Sequence, residues 1–185
     1  SEIEDLLRRL KEVADEIKER LKKLSEESEE LVRRVKRRIE ELNKENREVM
    51  KEIKRRIDSG QPEESLERLV READKRLRDS IKEVEDLLRE LEEMLRRTNE
   101  KARRLVDEIR RRLERVLEEV KKRGAPEEDV RRLAEDIRRL LEEIEKLLKE
   151  HEEKNRKLKK ELEDLVRRHR KSVEDLKREI RERSR

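Results

Sequence analysis

The chain has no cysteine, no phenylalanine, tyrosine or tryptophan, and only two glycines and two prolines in 185 residues. Without cysteine, disulfides and thiolate chemistry are excluded, and nothing marks a redox compartment. Without aromatic side chains there is no platform on which bases could stack, and acids interleaved with the basic residues add to the case against a nucleic-acid binder. No apolar run approaches the roughly 18 residues needed to span a bilayer. The opening Ser1-Glu2-Ile3-Glu4-Asp5 does not resemble a signal peptide, so a soluble protein is expected.

What the chain does contain is charge: 59% of its residues are Asp, Glu, Lys or Arg, against 30% apolar. The 57 basic and 53 acidic residues nearly cancel, to a formal net charge of +4, and they alternate along the sequence. Local runs such as Arg33-Arg34-Val35-Lys36-Arg37-Arg38 and Arg167-Arg168-His169-Arg170-Lys171 have acidic neighbours within one turn, so they read as solvated helix faces. A disordered polyampholyte would scatter its apolar residues; here they are periodic, which decides for long helices.

Only Asp58-Ser59-Gly60-Gln61-Pro62-Glu63-Glu64 and Arg123-Gly124-Ala125-Pro126-Glu127-Glu128-Asp129 interrupt that pattern. In both, Gly follows the last periodic turn, Pro comes two residues later, and acids open the next helix, the chemistry of a helix stop and restart. The spacing predicts three helices over about 2–58, 62–122 and 126–183, joined by loops at about 59–61 and 123–125, in a single domain of residues 1–185. Such short loops fold consecutive helices back on each other, giving an all-α, antiparallel up-down-up three-helix bundle with helices of about 60 residues.

The apolar residues recur every 18 positions. Ile3, Leu21, Ile39 and Ile57 form one such row, Leu69, Leu87 and Leu105 another, and Ile144, Leu162 and Ile180 a third. Eighteen residues make five turns of an unstrained 3.6-residue helix, so the stripe does not drift as a heptad would, and the bundle should be straight. The recurring positions occupy about 120° of each helix, enough for one shared core, with no second apolar face for a membrane or a partner.

Equal helices, an unbroken 18-residue apolar repeat, Glu, Lys and Arg over the surface, and minimal Gly-Pro loops resemble the idealised, parametric and untwisted three-helix bundles of de novo design. The resemblance covers the whole chain. It implies a fold generated from ideal geometry, a thermostable monomer, and no evolved activity. Natural three-helix rods of the spectrin-repeat kind usually carry core Trp and heptad drift, and this chain has neither.

The stripe is not uniformly aliphatic. Ser25 and Asn43 share an azimuth with Leu7, Ser28 and Asn46 with Leu10, Ser80 and Thr98 with Val116, and Asn99 with Ile81 and Leu117. On the third helix His151 and His169 share the azimuth of Leu133, and Asn155 that of Ile137 and Val173. Counting heights from the loops, good to about a turn, sorts these residues into two layers, each drawing on all three helices. Ser25, Ser28, Thr98, Asn99, His151 and Asn155 form the first; Asn43, Asn46, Ser80, His169 and Ser172 form the second. A buried amide or imidazole without a partner costs about 1–3 kcal/mol, so each layer is expected to be a hydrogen-bond network that penalises wrong register. Ser25, Asn99 and Ser172 could instead sit at the stripe edge and reach water.

Chemistry is not expected from these residues. Each layer offers one imidazole, and two histidines 18 residues apart on one helix stand about 27 Å apart, so no metal site and no cofactor are expected. No acid aligns with the stripe to complete a Ser-His-Asp arrangement, so no catalytic residue is expected. The sequence therefore reads as a structural scaffold, a monomer without partners, whose polar layers give registry and specificity. The alternative is a switching or self-associating module, pH-responsive through His151 and His169. Burial would lower each histidine's affinity for protons, and each tenfold drop would remove about 1.4 kcal/mol of stability at low pH. That is small against the aliphatic core, so a folded bundle is expected at pH 5.

Overall fold

The computed structural model describes residues 2–183. Ser1, Ser184 and Arg185, at the ends of the expected 1–185 domain, lie outside the described residues. Three helices account for almost all of the rest: α1 (Glu2–Asp58), α2 (Glu63–Lys122) and α3 (Glu127–Arg183), packed as a bundle. Helix formers fill them, with acids in each first turn and basic residues in each last turn, charges that suit the helix dipole.

α2 and α3 begin one residue later than the proline positions marked by the sequence. The carbonyls of Pro62 and Pro126 nevertheless accept the first helical bonds, from the N–H groups of Leu66 and Val130 at 3.1 Å each. The prolines are thus the residues on which these helices start. Both helix ends before them turn on a glycine in the left-handed region, Gly60 at φ 70° and Gly124 at φ 75°. At Gly124 the cap is complete: its own N–H reaches Lys121 O at 3.1 Å and that of Ala125 reaches Val120 O at 3.4 Å. At Gly60 the N–H reaches Ile57 O at 3.2 Å, and the Ser59 hydroxyl takes the Arg56 carbonyl at 2.9 Å.

Packing divides the chain into two compact units, each drawing on all three helices. Unit 1 comprises the residues up to Glu29 with Met94–Lys157, and unit 2 comprises Glu30–Glu93 with the residues from Leu158 onward. The core of unit 1 is built from Leu10, Ala14, Ile17 and Leu21 of α1, Ala102, Val106, Ile109 and Leu113 of α2, and Leu133, Ile137 and Ile144 of α3. Steps of three and four along each helix keep these residues on one stripe, and the wholly buried Ala14 and Ala102 let backbones approach. The core of unit 2 includes Met50, Ile53, Ala73, Leu77, Val173 and Ile180. Each large aliphatic side chain so buried stabilises its unit by about 1.5–3 kcal/mol before conformational entropy is counted.

Contacts between helices fix their directions. In unit 1, Lys18 pairs with Glu143, 125 residues on, and Ser25 meets His151, 126 residues on. In unit 2, Lys36–Glu161 and Asn43–His169 repeat those separations of 125 and 126. A constant separation means that α1 and α3 run parallel. α2 runs against both: Arg38 pairs with Glu83 and Asn46 with Ser80 in unit 2, while Arg103 pairs with Glu152 and Arg110 with Glu145 in unit 1.

Candidate functional site: a polar layer in each unit

In unit 1 the aliphatic stripe gives way to a polar cluster. Ser28, Thr98, His151 and Asn155 are buried, the last two only 2% and 3% exposed, and Ser25 and Asn99 are half-buried beside them. The bonds run from helix to helix. Ser25 Oγ lies 2.7 Å from His151 Nδ1, and Ser28 Oγ lies 3.2 Å from Thr98 Oγ1. Thr98 sends its own hydroxyl hydrogen to Leu95 O at 2.9 Å, so Ser28 is the donor to Thr98. The Asn155 amide nitrogen faces Asn99 Oδ1 at 2.7 Å, Thr98 Oγ1 at 2.9 Å, His151 Nε2 at 3.3 Å and Leu95 O at 3.4 Å. Because Asn155 donates toward Nε2, His151 carries its proton on Nδ1 and gives it to Ser25.

In unit 2 the cluster is leaner and its bonds form a single line. Asn46 donates through Nδ2 to Ser80 Oγ at 3.0 Å, Ser80 Oγ lies 2.9 Å from His169 Nε2, and His169 Nδ1 lies 2.6 Å from Asn43 Oδ1. The carbonyl oxygen of Asn43 can only accept, so His169 holds its proton on Nδ1, and Ser80 donates to the free Nε2. Asn46, Ser80 and His169 are buried and Asn43 is half-buried.

Ser172 stands apart from this line. It is half-buried and makes no side-chain hydrogen bond among the described residues. The reason is its azimuth: one and two repeats back stand Lys154 and Asp136, so its position flanks the stripe, as the sequence left open.

Desolvation lowers the pKa of both histidines from the ordinary value of 6.5. For His151 this outweighs the Thr98 backbone and the nearby Glu152, which favour the charged form; Lys154 opposes it. For His169 it outweighs the Ser80 backbone and Glu83. Both rings are therefore neutral at pH 7, in keeping with the tautomers above.

Two features escaped the sequence reading. One is the Leu95 carbonyl, which takes a second hydrogen bond from the layer in unit 1; a backbone acceptor has no sequence signature. The other is legible once charges are compared at one repeat. Across α2 and α3, Arg103 pairs with Glu152 in unit 1, and the residues 18 positions away, Glu85 and Arg170, pair in unit 2 with the signs exchanged. Across α1 and α3, by contrast, Lys18–Glu143 in unit 1 and both Lys36–Glu161 and Lys54–Glu179 in unit 2 keep the same sign.

Ser80, His169 and Asn43 are connected like the nucleophile, base and orienting group of a hydrolase. Ser80 is only 4% exposed, however, and no donors converge on a site beside it where an oxyanion would form. Among the described residues no three His, Asp or Glu side chains converge as metal ligands, and no helix is long and apolar enough to cross a membrane.

No family model matches the chain, and no curated protein matches it. Among solved structures it is similar to a chain described as a computationally designed three-helix bundle. The two share 21% identity and a TM-score of 0.56, over 99% of this chain and 84% of that one. At that identity the likeness shows the fold, a three-helix bundle.

Proposed function

We propose that this chain is a designed structural scaffold whose polar layers set the register of its helices. The observation that carries this reading is that hydrogen bonds in each unit join side chains from α1, α2 and α3 at positions where one or two repeats away the chain has an aliphatic residue. An 18-residue apolar repeat by itself is nearly blind to a slide of one repeat, since aliphatic rows would meet aliphatic rows again. The Lys–Glu seam between α1 and α3 is equally tolerant, because Lys18 could meet Glu161 as readily as Glu143.

The polar residues are not tolerant. A one-repeat slide of α3 along α1 brings either Leu133 to Ser25 or His151 to Leu7, and in both cases strands a polar group in an apolar setting. The exchanged charges act in the same sense: the slide sets Arg103 against Arg170 or Glu85 against Glu152. The same reading makes residues 1–185 one cooperative domain, since each helix runs unbroken through both units. It also makes the chain a monomer without cofactor or partner, and catalytically idle.

The test is to replace both layers by the aliphatic residues found one or two repeats away and to compare sedimentation and unfolding with the parent. The expected outcome is a protein at least as stable but heterogeneous in association. A monodisperse monomer with unchanged helix pairing would remove the registry role. The lowered histidine pKa values favour a second reading, a pH-responsive module; a monomer at both pH 7 and pH 5 supports the scaffold, and a change of association between them supports the switch.

A further inference from the structure

The layer of unit 1 has a defect in its hydrogen bonding. Asn155 is 97% buried, its amide nitrogen is surrounded by four acceptors, and its carbonyl oxygen Oδ1 has no donor at all. Among the described residues it is the one buried side-chain polar atom in that position. An uncompensated buried amide oxygen is costly enough that native interiors resolve it, commonly with an internal water. On the other side of the His151 ring stands a spare donor. Ser25 Oγ accepts the proton of His151 Nδ1, which leaves the Ser25 hydroxyl hydrogen without an acceptor in the protein. Ser25 and His151 also line a groove of about 600 Å³ between α1 and α3, floored by Leu21 and Leu147 and edged by Lys22 and Lys154. The groove thus leads from solvent to the edge of the layer.

We propose that the polar layer of unit 1 is a water-binding site, with one water donating to Asn155 Oδ1 and exchanging with solvent through the groove at Ser25 and His151. Water is the fitting ligand because it supplies the missing donor while accepting a hydrogen bond in turn, and it carries no charge that the apolar surroundings would have to bear. The layer of unit 2 has no equivalent need, since its line of bonds runs from Asn46 to Asn43 with no orphaned buried atom. At the position equivalent to Asn155 it has the aliphatic Val173. The hydration holds whether the layers serve registry or switching.

The experiment is proton NMR of the intact protein in water, reading magnetisation transfer from bound water to the Thr98 methyl, the Asn155 amide and the His151 ring, joined to a crystal structure that resolves ordered solvent. The expected result is transfer to these three groups, a water within hydrogen-bonding distance of Asn155 Oδ1, and loss of the transfer to Thr98 and His151 in Asn155→Val, the residue one repeat away. Two results overturn the proposal: no transfer to these groups in the unmodified protein, or an Asn155 amide turned over so that Oδ1 accepts from a protein donor. Both are read on the parent chain, so a poorly folded variant does not blunt the test.

Discussion

Removing a single oxygen atom from the layer of unit 2 should cost far more than its size implies. Ser80→Ala deletes one hydroxyl that both donates to His169 Nε2 and accepts from Asn46 Nδ2. Alanine fills nearly the same volume, so no cavity of note opens and no strain is added. What remains is an imidazole nitrogen on a residue 1% exposed and an amide N–H on a residue 3% exposed, neither able to reach solvent. At about 1–3 kcal/mol for each orphaned group, the loss is about 2–6 kcal/mol. The combined change Ser80→Ala, Asn43→Leu, Asn46→Leu and His169→Leu removes every member of the line and leaves nothing orphaned. Buried polar clusters replaced whole by apolar groups of similar volume are commonly more stable by about 1–4 kcal/mol, so the sign should invert between the single and the fourfold variant. Guanidinium unfolding followed by far-ultraviolet circular dichroism measures both, given equal denaturant slopes. A cost below about 0.5 kcal/mol for Ser80→Ala, the range of an ordinary surface change, would refute the line of bonds. A fourfold variant less stable than Ser80→Ala would refute the claim that the layer trades stability for register.

Acid should weaken the protein without unfolding it. Both histidines have lowered folded pKa values, so their contribution is complete above the unfolded value of 6.5, declines as the pH falls through the lowered folded values, and then levels off. The guanidinium midpoint should accordingly be lower at pH 5 than at pH 7, with helicity intact at both in the absence of denaturant; loss of the helical signal between them would contradict this. Gly124→Ala meets no neighbouring atom but must hold φ at 75°, and should cost about 1–2 kcal/mol in the same unfolding assay. The sealed Ser80–His169–Asn43 line should neither release nitrophenol from an activated ester faster than His169→Leu does nor take up a fluorophosphonate label; either activity would contradict the catalytic idleness of the layer. Reversing one charge of the Arg103–Glu152 pair should cost only about 0.2–1 kcal/mol, since Arg103 is 66% exposed; a larger loss would show that the exchanged charges matter to stability as well as register.

Much of this was legible beforehand because the fold is written in repeats. Leu10, Ser28 and Asn46 announce a shared azimuth by spacing alone, and two glycines with two prolines leave no choice of where the helices end. Height was harder to read. Counting from the first loop sets Ser28 level with about Glu92 and Asn46 with about Asp74, yet their bonds go to Thr98 and Ser80. Side chains tilt toward the N-terminus of their own helix, so in an antiparallel pair they lean in opposite directions, and the residues that touch are offset along the axis. The parallel pair α1 and α3 has no such offset, and its separation of 126 residues lies close to the count from the loops. What spacing could not express was individual bonds: that Asn155 gathers four acceptors on its nitrogen and none of the donors its oxygen needs depends on side-chain rotamers.

The lone imidazole in each layer has a practical consequence. With no phenylalanine, tyrosine or tryptophan in the chain, the carbon-bound protons of His151 and His169 are the only ring signals in its proton spectrum. One pair reports on unit 1 and the other on unit 2, so titration and local opening can be followed separately in the two units without isotopes or an attached probe.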